Sequence, residues 1–427
     1  IMTSMDQLRR AWGQVGHLNS VISSEPLRSV FNELLPKVAA FYSRLSQNKK
    51  IYQCFSDVYA AQQKQLLSQE RKKYLENELR DYRLSGVDLG EREQNRYQEL
   101  SERLASLSAK FSDNVLDATD DYVLNVEQGN RLEGLPDAIL SEAKVKANSL
   151  DQEGWSFTLK APCWIPFMES CVDRSLREEM YYAYVTRASE CGKDEFDNST
   201  TIIEILSARH EKSKLLGFDS FAHLSFATKM AVEPQRALDL LKQLSDRARS
   251  RAVSEFEMLN DYASSHLGMH DLMPWDISFV AQKIKEERYS FKDEDLRQHF
   301  PLRKVMSGLF DLLGSLYGIS VADQSTTAWD PNVQLLAVNN RAGNLIGYFY
   351  MDLFARDGKR PGAWMDDAIG RWKTERHTQL PVAYLVCNFP SQGAAASDAY
   401  LSHGEVETLF HECGHVMHHL MTKIDEV

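Results

Sequence analysis

Residues 410–419 read FHECGHVMHH and place two histidines, His411 and His415, four positions apart, with Glu412 directly after the first. Residues four apart lie on one face of an α-helix, so both imidazoles can reach a single metal ion. Neutral imidazoles leave zinc cationic, so that it can activate a water molecule and polarise a scissile carbonyl. A neighbouring carboxylate can then take the proton from that water. The spacing predicts a zinc hydrolase with His411 and His415 as ligands and Glu412 as the catalytic base.

The helix that must carry this motif has a clear start signal. Ser402 followed by Glu405 is an S-x-x-E capping box, which satisfies the free N–H groups of a first helical turn. We therefore predict a helix over about residues 403–423.

The two sides of this helix differ in character. At about 100° per residue, His411, His415 and His418 share one side. We interpret Cys413 as a core residue, and His418 and His419 as neighbours of the site or surface residues, not as ligands. The apolar sector comprises Val406, Phe410, Cys413, Met417, Leu420 and Ile424.

Two aromatic and β-branched segments precede the helix, LIGYFYMDLFA at 345–355 and VAYLVCNF at 382–389. Both compositions favour strands, and we predict a small sheet within about residues 333–389. An exposed sheet edge can hold an extended peptide by main-chain hydrogen bonds, and the strand at 382–388 is the candidate edge. A strand that only packs is an equal alternative for each segment.

Most of the remaining chain shows helical periodicity up to about Tyr317. The segment WSFTLKAP at 155–162 alternates and ends in proline, which indicates a strand or an extended linker. We predict a mainly α, multi-helical fold of two lobes: an N-terminal helical lobe over 1–155, and a region over 156–427 that carries the sheet and the motif. These lobes need not be continuous in sequence. The clearest helical stripe comprises Tyr97, Leu100, Leu104, Leu107, Phe111 and Val115.

The composition excludes several classes of protein. The 427 residues carry a formal charge of −12, which disfavours nucleic acid as a partner. No apolar run is long enough for a membrane helix, and the start of the sequence lacks a secretory signal. Six cysteines form no CxxC pair, which favours reduced thiols and a cytoplasmic location.

Further segments extend the motif into a family resemblance. Together with LFHECGHVMHH, they resemble the oligopeptidase A and thimet oligopeptidase family of zinc metallopeptidases over essentially the whole chain. The resemblance implies a zincin-type fold, a monomer, one zinc ion held by His411 and His415, Glu412 as general base, and hydrolysis of short unstructured peptides. The segments are GYFYMDLFARDGKRPGAWMDD (347–367), PVAYLVCNF (381–389), LREEMYYAYVTRAS (176–189) and FATKMAVEP (226–234).

Two departures from the family pattern stand out. Cys413 replaces the usual Phe, which we expect to tune activity through packing. The family's third zinc ligand is a Glu roughly twenty-five residues past the second His, and the sequence ends before that point. Glu426, eleven residues after His415, is too near to replace it. We therefore expect an internal fragment of a longer peptidase that is inactive alone.

A non-catalytic helical protein that binds peptides and retains the motif as a relic is the alternative. An inactive, metal-free full-length protein would favour this alternative over the peptidase.

Overall fold

The computed structural model describes residues 2–61, 67–290, 293–374, 377–390 and 399–424. The fold is mainly α, as predicted, and no described helix combines the length and apolarity needed to cross a membrane. The helices are α1 (Met2–Val21), α2 (Glu25–Ser46), α3 (Lys49–Ala61), α4 (Gln69–Leu84), α5 (Glu91–Asp121), α6 (Asp137–Ser149), α7 (Ala161–Ser170), α8 (Arg174–Val185), α9 (Ser199–Leu215), α10 (Phe221–Phe226), α11 (Pro234–His266), α12 (Ile277–Tyr289), α13 (Asp293–Arg297), α14 (Leu302–Tyr317) and α15 (His403–Leu420). The strands are β1 (Val123–Val126), β2 (Trp155–Thr158), β3 (Ser320–Gln324), β4 (Gln334–Asn339), β5 (Leu345–Phe354), β6 (Trp364–Ile369), β7 (Trp372–Lys373), β8 (Thr378–Gln379) and β9 (Val382–Phe389).

The chain divides into two compact units, each discontinuous in sequence. The first unit comprises residues 1–24, 118–186 and 262–427, and the second comprises 25–117 and 187–261. Residues on both sides of position 155 belong to the first unit because β1 pairs with β2 along its whole length. The functional division into 1–155 and 156–427 stays a prediction.

The second unit is helical, and polar contacts between distant helices reinforce it. Arg28 Nη1 donates to both carboxylate oxygens of Asp117 at 2.7 Å, which joins α2 to α5. The buried amide of Asn114 donates to Asn198 Oδ1 at 3.0 Å just before α9. Phe111 is 36% exposed, so the predicted apolar stripe of α5 is not buried along its whole length.

In the first unit, a small core forms around the β1–β2 pair and helices α6, α7 and α8. The side chains of Phe157 and Phe167 are fully buried there and meet edge to face. Arg177 is also fully buried, and its guanidinium donates to the buried carboxylate of Asp276 at 2.7 Å. The ion pair and its hydrogen bond compensate the cost of burying the Arg177 charge.

A five-stranded sheet with the order β3-β4-β5-β9-β6 forms the main core of the first unit. Strands β5 and β9 are parallel, and the other neighbouring pairs are antiparallel. Alternate residues of β9 point to opposite faces, as the pleat of a strand requires. Ala383, Leu385 and Cys387 pack with α14 and α15, whereas Tyr384 and Val386 pack with the end of α1.

Helix α1 covers the second face of the sheet through His17. The imidazole stacks on the Tyr384 ring with centroids 3.5 Å apart, and it forms a T-shaped pair with the Trp329 ring, with centroids 4.6 Å apart. Burial lowers the pKa of His17 to about 4, so the ring is neutral in this position at neutral pH.

The predicted strands at 345–355 and 382–389 are confirmed as β5 and β9. The prediction that the strand at 382–388 forms the sheet edge is wrong, because β9 lies between β5 and β6. The outermost strand on the side of α15 is β6, within the described ranges. The sheet also begins earlier than residue 333, since β3 opens at Ser320.

Candidate metal centre and substrate cleft

Helix α15 begins where the capping box predicts. The hydroxyl of Ser402 accepts a hydrogen bond from Glu405 N at 3.2 Å, and Glu405 Oε2 accepts one from Ser402 N at 2.6 Å. Arg297 Nη1 also donates to Glu405 Oε2, at 3.2 Å, and to the carbonyl of Tyr400 at 2.9 Å. The first turn of α15 is therefore stabilised by its own capping box and by Arg297 of α13.

One face of α15 lies against the sheet. Leu409, Cys413, Val416 and Leu420 are at most 1% exposed, which confirms the core position predicted for Cys413. A close approach occurs at Gly347 of β5: a Cβ there would lie 2.8 Å from Pro381 O and 2.9 Å from Leu420 Cδ2. Glycine allows the end of α15 to approach the sheet this closely.

The opposite face presents His411 and His415 to solvent. Their Nε2 atoms lie 3.1 Å apart, and the ring planes meet at 83°. Two imidazole nitrogens bound to one tetrahedral zinc ion at 2.0–2.1 Å would be separated by about 3.3 Å. The two rings therefore already converge at the spacing that a shared zinc ion requires.

Glu412 is buried, unlike the two exposed histidines. It is 8% exposed. Burial raises the pKa of the Cys387 thiol on β9, and the charge of Glu412 is among the smaller influences that raise it further. The Glu412 carboxylate therefore lies near β9 and also borders the cleft described next.

A cleft of about 1310 Å³ runs along α15 and is lined by two of the three candidate residues, without His411. Glu412 and His415 line it together with Asp367 and Met365 of the edge strand β6. Leu312 and Leu316 of α14 supply apolar lining. The cleft thus combines polar side chains of α15, the edge strand β6 and apolar side chains of α14. A concave site with an apolar lining and a few polar groups is the usual form of a ligand site.

The histidine pair supplies two nitrogen donors for a metal ion. No group of three His, Cys, Asp or Glu residues that could hold a metal ion occurs in the described ranges. Burial raises the pKa of Cys413 to about 12, so its sulfur stays protonated, and a thiol is not the ligand form. Glu426, considered above, lies outside the described residues. His411 and His415 therefore fit a zinc ion as two of its ligands.

The other two histidines of the motif have different surroundings. His418 is exposed and lines the cleft. His419 Nε2 lies 3.0 Å from the carbonyl oxygen of Ile369, the last residue of β6. The sequence did not single out β6 or this contact. The segment WMDDAI carries two acidic residues at its centre, and His419 meets a partner 50 positions away.

Comparison with known proteins agrees with the resemblance. Residues 167–426 match peptidase family M3, and residues 2–94 match the neurolysin/thimet oligopeptidase N-terminal domain. Oligopeptidase A of Haemophilus influenzae is 42% identical over 98% of this chain and 62% of its own length. Oligopeptidase A of Escherichia coli is 40% identical over the same shares. Saccharolysin of Saccharomyces cerevisiae is 26% identical over 96% of this chain and 58% of its own length.

The chain thus spans 62% of the length of the two bacterial relatives. The family match covers most of the chain and includes the helix with the histidine pair. This chain belongs to peptidase family M3.

Proposed function

We propose that this chain carries the metal-binding helix and the substrate-aligning strand of a zinc-dependent endopeptidase that hydrolyses short, unstructured peptides. The observation that carries the proposal is the convergence of the His411 and His415 Nε2 atoms to 3.1 Å, with Glu412 on the same helical turn. Membership of family M3 and the names of the bacterial relatives, oligopeptidase A, support the reaction class and the size of the substrate.

His411 and His415 would hold the zinc ion through their Nε2 atoms. When bound, zinc supplies a Lewis acid that polarises a scissile carbonyl and increases the acidity of water. Glu412 accepts a proton from the attacking water at a carboxylate oxygen, and it then delivers this proton to the departing amide nitrogen. One proton is thus moved from nucleophile to leaving group, and the carboxylate is regenerated.

The edge of β6 would align the substrate. An extended peptide can add to a free edge by main-chain hydrogen bonds, which favours peptides that are not folded. β6 is suited to this task because it is the outermost strand beside α15 in the described sheet and borders the cleft that Glu412 lines. The apolar side chains of Leu312 and Leu316 offer contacts to the peptide's own side chains.

Hydrolysis of a quenched fluorescent peptide by the full-length protein tests the proposal. We expect Glu412→Gln to lower kcat by at least about a hundredfold because the proton acceptor is lost. The zinc content should stay unchanged, since neither imidazole is altered. Glu407→Gln is the matched control: Glu407 lies on the same helix, its side chain is 71% exposed, and its replacement should leave the rate within about twofold of the original.

Hydrolysis that survives Glu412→Gln would contradict the assignment of the base. A full-length protein that binds peptides but neither holds zinc nor cleaves them would instead support the non-catalytic binding protein. The cytoplasmic location and the monomeric state stay predictions.

A further inference from the structure

A hydrogen bond links the helix of the histidine pair to the end of the edge strand. His419 Nε2 and Ile369 O are 3.0 Å apart, and Ile369 is the last residue of β6. A carbonyl oxygen only accepts, so the imidazole must donate and its Nε2 must carry the hydrogen. The contact therefore specifies one tautomer of His419 when the ring is neutral.

His419 points in nearly the same direction as Glu412. The two residues are seven positions apart, which corresponds to two helical turns, or about 700° of rotation and about 10 Å along the axis. Both line the same cleft as Asp367 of β6. Strand β6 therefore runs beside the same face of α15 that carries the proposed base. His419 lies on this face, two turns nearer the C-terminal end of the helix.

The backbone ladder that holds β6 is irregular at this end. β6 pairs with β9 in register up to Asp367, opposite Ala383, but the register shifts before Ile369, which faces Val382. Such a shift interrupts the main-chain pairing locally. The bond from His419 reaches Ile369 directly after the irregularity, where the ladder constrains the strand least.

We propose that His419 is a positioning residue, which fixes β6 along α15 so that a peptide paired with the strand edge presents one bond to Glu412. The proposal rests on the proposed function, but its first test does not need activity. His419 acts through the strand, because its contact is with the Ile369 carbonyl and not with the rings of His411 and His415.

The first test is hydrogen exchange of the β6 amides, followed by mass spectrometry of the full-length protein. We expect His419→Leu to speed exchange of residues 364–369 by about three- to tenfold, the effect of one lost hydrogen bond. His419→Gln should restore slow exchange, because its terminal amide nitrogen lies near the position of the imidazole Nε2 and can donate. His403→Leu is the control, since it removes an exposed imidazole from the other end of α15.

The second test is the cleavage pattern of an unstructured decapeptide. We expect one dominant cleavage site with the original protein and with His419→Gln, but several adjacent sites with His419→Leu. Zinc content should be equal in all three proteins, which separates positioning from damage to the metal centre.

The outcomes are distinct for the two proposals. Unchanged β6 exchange together with an unchanged cleavage site in His419→Leu would overturn the role of His419. Absence of hydrolysis in the original protein would overturn the proposed function, while the exchange result would still decide whether His419 fixes the strand. Should His419→Leu not fold, nitrogen NMR of the original protein decides: hydrogen on Nδ1 only, and not on Nε2, would overturn the role.

Discussion

One turn of α15 separates two kinds of side chain by direction. The imidazoles of His411 and His415 are exposed, with their Nε2 atoms 3.1 Å apart, whereas Glu412 is buried. This arrangement follows from helix geometry alone: residues four apart stack, and the residue between them is rotated by about 100°. The spacing in the sequence was therefore sufficient to predict that the two imidazoles lie on one face of the helix.

At the same scale, the buried His17 should make stability depend on pH. Burial, the largest influence, lowers its pKa to about 4 in the folded protein, against 6.5 for the free side chain. Between these two values the unfolded chain binds a proton that the folded chain does not, so folding stability falls as pH falls from 6.5 to 4. The loss attributable to this one residue is at most about 3 kcal/mol.

Urea unfolding at a series of pH values measures this loss. His17→Phe keeps an aromatic ring against Tyr384 and removes the titrating group. We expect the original protein to lose more stability than His17→Phe between pH 6.5 and 4. Parallel curves for the two proteins would show that His17 does not titrate in this way.

At the scale of elements, the position of α15 on the sheet depends on Gly347. A Cβ at this position would approach Pro381 O and Leu420 Cδ2 to less than 3 Å, and the first of these is backbone. We expect Gly347→Ala to lower the free energy of unfolding by about 1–3 kcal/mol, as overpacking does. Chemical denaturation with circular dichroism gives this quantity.

Gly308 provides a control in which the same substitution should change the free energy of unfolding in the opposite direction. It lies within α14, and a Cβ there would meet no atom within 4 Å. Gly308→Ala should therefore raise stability by up to about 1 kcal/mol through helix propensity. If Gly347→Ala were as stable as Gly308→Ala, α15 would not approach β5 as closely as the structure has it.

Elements with strong local patterns were predictable, and those shaped by neighbours were not. β5 and β9 were evident because aromatic and β-branched side chains fill both of their faces. β6 carries Asp366 and Asp367, both exposed, so its sequence does not show the pattern of a buried strand. α7 contains Pro162 and Pro166, which resemble a break in the helix; Pro162 is tolerated because it falls in the first turn, whereas the helix continues through Pro166 against its local preference.

The edge of the sheet illustrates a second limit. Strand composition indicated that a sheet precedes the helix, but the order of strands depends on packing across the chain. β9 has the stronger strand sequence and for that reason lies in the interior, where both faces are covered, while the polar β6 takes the edge. Likewise, the contact of His419 with Ile369 joins residues 50 positions apart, and no local pattern encodes it.

At the scale of the whole molecule, the chain combines two discontinuous units, and the candidate site lies within one of them. The histidine pair, the proposed base and the edge strand all belong to the unit that contains the sheet. The match to peptidase family M3 extends over residues 167–426 and so includes all of these parts. The candidate site therefore lies wholly within the part of the chain that matches the family.

Zinc affinity is the decisive property, because the proposed hydrolysis needs His411 and His415 to share one ion. Competition with a chromophoric chelator measures this affinity in the full-length protein. We predict one zinc ion per chain, at least about a hundredfold weaker binding in both His411→Ala and His415→Ala, and unchanged binding in His403→Ala. Zinc bound equally well after either of the first two substitutions would contradict the account.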